Sequence, residues 1–107
     1  MKKLIKIVDN FKRKKIGVIG DLMLDHFIWG DVERISPEAP VPVVLVAKES
    51  FSPGGAGNTA ANIVSLGGKA FVVGFIGKDF SGKTLLSEFK KLGVKTEGII
   101  ENSQKPT

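Results

Sequence analysis

Apolar positions along this chain change their period several times, and each change marks a different element. Leu4, Val8 and Phe11 recur at helical spacing with Ile5 beside them and lysines between, which predicts a short amphipathic helix with a solvated lysine face. Ile16-Gly17-Val18-Ile19-Gly20 is a continuous apolar run that gives way to Asp21, the pattern of a buried strand whose exit carries an acid. Residues 26–29 and 41–47 are rich in β-formers. Between them Ser36-Pro37-Glu38-Ala39-Pro40 breaks any helix, and Pro40 and Pro42 push the second run towards a sheet edge. Small residues dominate 53–57; a helical pattern then runs over 58–66 and stops at Gly67-Gly68. Residues 70–76 read as a second buried strand, and 80–92 as a helix with Leu85, Phe89 and Leu92 on one face and Gly93 as its stop. A short strand at 99–100 and a polar tail over 102–107 complete the pattern.

The order is helix, strand, two extended strands, helix, strand, helix, strand. That alternation predicts an α/β fold, a mostly parallel sheet with crossover helices. The two extended runs interrupt it, so residues 26–47 read as a β flap projecting from the sheet. With 107 residues the chain amounts to one domain or part of one. An apolar fraction of 42% and a charged fraction of 25% are those of a globular protein, and exclude collagen-like or disordered chains. No apolar run approaches the roughly 20 residues that cross a bilayer, and the basic N-terminus lacks the apolar stretch and cleavage site of a secretory signal. The expectation is a cytoplasmic protein without a membrane partner. The absence of Cys removes disulfides and thiolate metal sites and fits a reducing compartment. The net charge of +5 derives largely from seven Lys or Arg among the first fifteen residues. Because these surround an apolar helical stripe, a solvated helix face is the expectation, and no nucleic-acid partner.

Three constellations could carry chemistry. Asp21 and Asp25 follow the first strand, and ligands of α/β sheets collect beyond the carboxyl ends of strands. Two carboxylates so placed suit the hydroxyls of a sugar; equally, Asp21 could cap a turn and Asp25 be a surface charge. Pro53-Gly54-Gly55-Ala56-Gly57-Asn58 runs into a helix: glycines let backbone approach a ligand, the helix start offers free N–H groups, and Asn58 both donates and accepts. Its partial match to a dinucleotide fingerprint is discounted, since Phe51-Ser52-Pro53 precedes it where a buried strand should. Finally, Gly77-Lys78-Asp79-Phe80-Ser81-Gly82-Lys83-Thr84 matches the phosphate-binding P-loop pattern between a predicted strand and helix. Only 23 residues follow Thr84, with no apolar strand ending in a magnesium-holding Asp, which argues against a nucleotide binder of that kind. His26, the single histidine, cannot complete a zinc site without cysteines and reads as a strand residue, and Trp29 reads as packing within the flap.

Those residues also carry a resemblance. Gly54-Gly55-Ala56 with Asn58, Ala60-Ala61 and Leu66-Gly67 resembles the first signature of the PfkB/ribokinase carbohydrate kinases, and Gly74 through Gly77, Asp79 and Gly82 resembles that family's strand-to-helix passage, which makes the P-loop match a coincidence. Ile19-Gly20-Asp21-Leu22-Met23-Leu24-Asp25, followed by Arg34-Ile35-Ser36-Pro37-Glu38-Ala39-Pro40-Val41-Pro42-Val43, is similar to the bacterial heptose-7-phosphate kinases, including the kinase halves of bifunctional ADP-heptose synthesis enzymes. The resemblance implies a ribokinase-like fold, with a flap that closes over the sugar and makes a homodimer. It makes Asp21, Asp25, Gly54, Gly55 and Asn58 sugar contacts, with Arg34 a further one. It implies ATP and Mg2+ for the parent enzyme, a sugar phosphate as substrate, and a catalytic Asp in a G-A-G-D motif. Neither that motif nor the ATP pocket falls within these 107 residues. The expectation is therefore a sugar-binding part, inactive alone, that binds no cofactor tightly. A non-catalytic sugar-binding or dimerisation module and a minimal P-loop nucleotide binder are the alternatives.

Overall fold

In the computed structural model, residues 1–35 and 42–107 are described, with side-chain surroundings for 1–30 and 46–107. The prolines expected to break the flap at 36–41 lie outside the described residues. The elements in chain order are α1 (Lys2–Asp9), a 3-10 turn (Asn10–Arg13), β1 (Lys15–Ile19), β2 (Leu22–Ile35), β3 (Pro42–Gly55), α2 (Ala56–Ser65), β4 (Lys69–Gly77), α3 (Phe80–Leu92) and β5 (Lys95–Asn102). β1, β4 and β5 form a three-stranded sheet in the order β1-β4-β5, with both pairings parallel. β2 and β3 form a separate antiparallel hairpin. This is the α/β architecture that the alternation of patterns predicts.

The strand order explains where the core lies. Both crossovers step along the sheet in one direction, so two connections of the same hand lay α2 and α3 on the same face. Ala70, Val72 and Ile76 alternate along β4 to meet that face, and they bury with Ala60 of α2 and with Leu85 and Phe89 of α3. The opposite face stays open: Phe71, Phe75 and Ile100 are 43%, 64% and 56% exposed.

α3 shows how local signals set an element. Asp79, extended at φ −138°, ψ 177°, accepts a hydrogen bond from the Gly82 N–H at 2.7 Å and so caps the helix start. Gly93 ends it at φ 84°, a left-handed conformation suited to glycine, and the Val94 N–H then donates to the Phe89 carbonyl at 2.9 Å. Leu92 departs from expectation: it stands exposed, and Val94, just past the stop, takes the buried place.

Other boundaries differ as well. The hairpin strands run fourteen residues each, well beyond the β-rich cores at 26–29 and 41–47, because backbone pairing continues to Leu22 opposite Gly55. α2 starts at Ala56 instead of Asn58, since the Asp21 carbonyl accepts the Ala56 N–H at 2.8 Å and turns the chain there. β5 spans eight residues where the apolar pattern marked only two. α1 forms as expected but buries none of its residues, leaving its Leu4 and Val8 stripe exposed. No described helix is long and apolar enough to cross a membrane.

Phe89 is fully buried and lies under the start of α2, where a Cβ added at Gly57 would stand 2.9 Å from its ring. Phe89→Ala is expected to cost about 3–5 kcal/mol, measured as a lowered urea midpoint with unchanged slope.

Candidate functional site

Two of the expected acids are placed by the turn from β1 into the hairpin. Asp21 follows β1 at the carboxyl end of the parallel sheet, where its backbone oxygen holds the first N–H of α2. A hollow of about 310 Å3 opens there, lined by Asp21, Phe75, Ile76, Asn102, Lys105 and Pro106. Asp25 lies further along β2, opposite Ser52, with its carboxylate against Gly54: a Cβ at that glycine would sit 2.6 Å from Oδ1. Gly55 has φ +57°, and a Cβ on it would meet the Asp21 carbonyl at 2.6 Å. Gly55 is demanded by its left-handed backbone and by the Asp21 carbonyl beside it, whereas a side chain at Gly54 would displace the exposed Asp25 carboxylate. Asp21, Asp25, Gly54 and Gly55 thus come together at the hairpin stem.

Asn58 stands in the first turn of α2, exposed, three residues after Gly55. No side chain caps that helix start. The leading N–H groups of a helix have no partner within it, so an uncapped start can donate to a polar ligand. Arg34 is not gathered with the others. Its backbone pairs with Val43, nine positions beyond Asp25 and so roughly 30 Å along the strand, and its side chain lies outside the described residues.

The P-loop-like string is organised around a carboxylate. Asp79 Oδ1 accepts from the Gly82 N–H at 2.7 Å and from the Thr107 hydroxyl at 2.7 Å, while Oδ2 accepts the Thr107 N–H at 2.9 Å. The Gly77 N–H donates to Thr107 Oγ1 at 2.8 Å. An anion already holds the helix start, and these amides are spent on it and on Thr107. A nucleotide phosphate would meet a like charge there, so the residues present do not fit ATP at this loop. The same hydrogen bonds, first those from Thr107 and then that from Gly82, hold the Asp79 carboxyl below its ordinary value.

Pattern reading missed Asn102 and Lys105. Both belong to a segment whose polarity suggested a solvated tail, and the contacts of Thr107 with Asp79 fold it back over the strand ends. One signal was available: Asn102 ends β5 paired with Gly77, the position where ligands of such sheets collect. His26 is a strand residue as expected, with its ring stacked on Phe51 at 4.5 Å between centroids. No group of three potential metal ligands occurs among the described residues.

A parallel sheet flanked by helices, with an antiparallel hairpin leaving the end of its first strand, has counterparts among known proteins. The family model of the pfkB family carbohydrate kinases matches residues 13–107. The chain belongs to that family. It is 51% identical over 90 residues to the bifunctional protein HldE of Magnetococcus marinus, a match covering 84% of this chain and 18% of that protein. To HldE of Wolinella succinogenes it is 44% identical over 101 residues, covering 94% and 21%. Similar solved structures include a fructokinase from Xylella fastidiosa, at a TM-score of 0.66 and 29% identity, covering 87% of this chain and 26% of that one. The same fructokinase with bound ATP matches at a TM-score of 0.66 and 29% identity, covering 88% and 28%. The pfkB chain described here spans about a fifth of the length of the HldE relatives.

The cap yields a pH prediction. Because the folded state lowers the Asp79 pKa, its stabilisation is complete above the ordinary 3.8 and is lost as pH falls through the lower folded value. Asp79→Asn is expected to lower the urea midpoint at neutral pH, with the gap to the parent chain closing at acid pH.

Proposed function

We propose that this chain forms the sugar-binding N-terminal portion of an ATP-dependent kinase that phosphorylates the anomeric hydroxyl of a heptose 7-phosphate, in the cytoplasm and in the service of ADP-heptose synthesis. One observation carries the reading: the Asp25 carboxylate lies over Gly54, at the glycine-lined approach to an uncapped helix start, with Asp21 at the same turn. Family membership supports a sugar as the ligand, and the similarity to HldE supports a heptose. In this assignment Asp21 and Asp25 accept hydrogen bonds from sugar hydroxyls, Asn58 donates and accepts, and the first turn of α2 contributes backbone N–H donors.

Phosphoryl transfer needs a nucleotide, Mg2+ and a base that takes the sugar proton, held in line. The described residues bring no such set together, and the one nucleotide-like loop is filled by Asp79. In this reading the chain by itself binds sugar and does not turn over ATP. Exposed Ile28 and Val46 on the hairpin support the accompanying proposal that the flap contacts a second copy of the chain.

Titration calorimetry with a heptose 7-phosphate tests the site. Asp25→Ala is expected to weaken binding about ten-fold or more, the worth of a charge-assisted hydrogen bond, while Lys83→Ala leaves it unchanged. Tight Mg-ATP binding abolished by Lys83→Ala would overturn the reading in favour of a P-loop nucleotide binder.

A further inference from the structure

The three parallel strands end side by side, and the turn that follows β5 is tied back to the strand between them. Asn102 closes β5 in register with Gly77 of β4. Thr107 returns to the same glycine, whose N–H donates to Thr107 Oγ1 at 2.8 Å. The Thr107 hydroxyl and N–H donate in turn to the two carboxylate oxygens of Asp79, at 2.7 and 2.9 Å. A Cβ on Gly77 would stand 2.6 Å from the Lys105 carbonyl oxygen, so the returning segment passes directly over that glycine. Within the loop so closed, the Gln104 N–H donates to Asn102 Oδ1 at 3.0 Å and the Lys105 N–H to the Asn102 carbonyl at 3.4 Å.

We propose that Asn102 is a further sugar contact, its amide donating to a hydroxyl that Asp21 holds from the other side, with Asp79 acting on it as a positioning residue through Thr107. The inference rests on the sugar site proposed above and extends it from the hairpin stem to the end of β5. Asn102 is half-buried and lines the same hollow of about 310 Å3 as Asp21. Asp21 leaves β1 on one side of β4 and Asn102 ends β5 on the other, two strand spacings or about 10 Å apart. The two side chains narrow that gap to one that a single hydroxylated ring fills. Because Asn102 Oδ1 is taken by the Gln104 N–H, its amide turns a donor to the hollow, while the Asp21 carboxylate only accepts. A hydroxyl does both, whereas an anionic group would meet Asp21 with like charge. Phe75, 64% exposed at the floor of the hollow, offers its ring to the C–H face of a sugar. Without the grip of Asp79 on Thr107, Gln104 has no fixed place from which to orient the amide.

Titration calorimetry of the full chain with a heptose 7-phosphate separates a sugar contact from a mere turn residue. Asn102→Ala removes both the donor and the acceptor that Gln104 uses. Asn102→Asp keeps that acceptor, and with it the turn, but loses the donor. Both variants are expected to bind about ten-fold more weakly, in high salt that screens the charge added by Asn102→Asp, with the urea midpoint of Asn102→Asp unchanged. Thr107→Val loosens the clasp without touching the cap of α3. It should weaken binding several-fold in the parent chain and no further in an Asn102→Ala background. Additive losses in that double variant overturn the positioning role of Asp79. An Asn102→Asp chain that binds like the parent, while Asp25→Ala still weakens binding, overturns the Asn102 contact and leaves the stem site standing. If Asp25→Ala has no effect, or the parent chain binds no sugar, the stem site falls and this contact with it.

Discussion

A carboxylate and a carbonyl fill the space in which residues 54 and 55 would otherwise carry side chains. The candidate site depends on that crowding. The Asp25 carboxylate presses on Gly54, the Asp21 carbonyl on Gly55, and the same carbonyl takes the first amide of α2. The approach is tight one residue before Asp21 as well, where a Cβ on Gly74 of β4 would stand 2.7 Å from the Gly20 carbonyl. Two backbone segments distant in sequence, one carrying Asp21 and Asp25 and the other leading into α2, are thereby held close together. A side chain at Gly55 would push the segments apart, while one at Gly54 would turn the Asp25 carboxylate aside.

The parts of the fold that could be read from sequence are those set by neighbours in the chain. α3 was legible because its cap Asp79, its buried pair Leu85 and Phe89 and its stop Gly93 are all local signals. β1 and β4 were legible as unbroken apolar runs. The extent of the hairpin was not, because Asp25 breaks the apolar pattern, and its extended conformation comes from pairing with Ser52, 27 residues away. The length of β5 was hidden likewise: Lys95, Glu97 and Glu101 are strand residues because β4 is beside them.

The site divides along the same line. Asp21, Asp25 and the glycine pair could be named because an acid after a buried strand and glycines before a helix are both visible in one dimension. Asn102 and Lys105 could not, since the first is placed by the pairing of β5 with β4 and the second by the contacts of Thr107 with Asp79 that fold the segment back over the strand ends. The phosphate-loop pattern in the same region misled for a related reason. The pattern specifies glycines and a lysine but is silent about its third residue, and here that residue is an aspartate that serves as the helix's own anion.

Along the hairpin the pairing slips once between Trp29 and Gly30, where Ala47 is left without a partner, and again between Val32 and Arg34, where Glu33 is. Strand side chains alternate with a period of two, so a single extra residue hands one strand's odd and even positions over to the opposite faces and tightens the local twist. The two slips sit on different strands and therefore undo one another's offset. Between the slips the register differs by one from that of the stem, so the alternation that places Asp25, Phe27 and Trp29 on one face is set by the stem pairing alone.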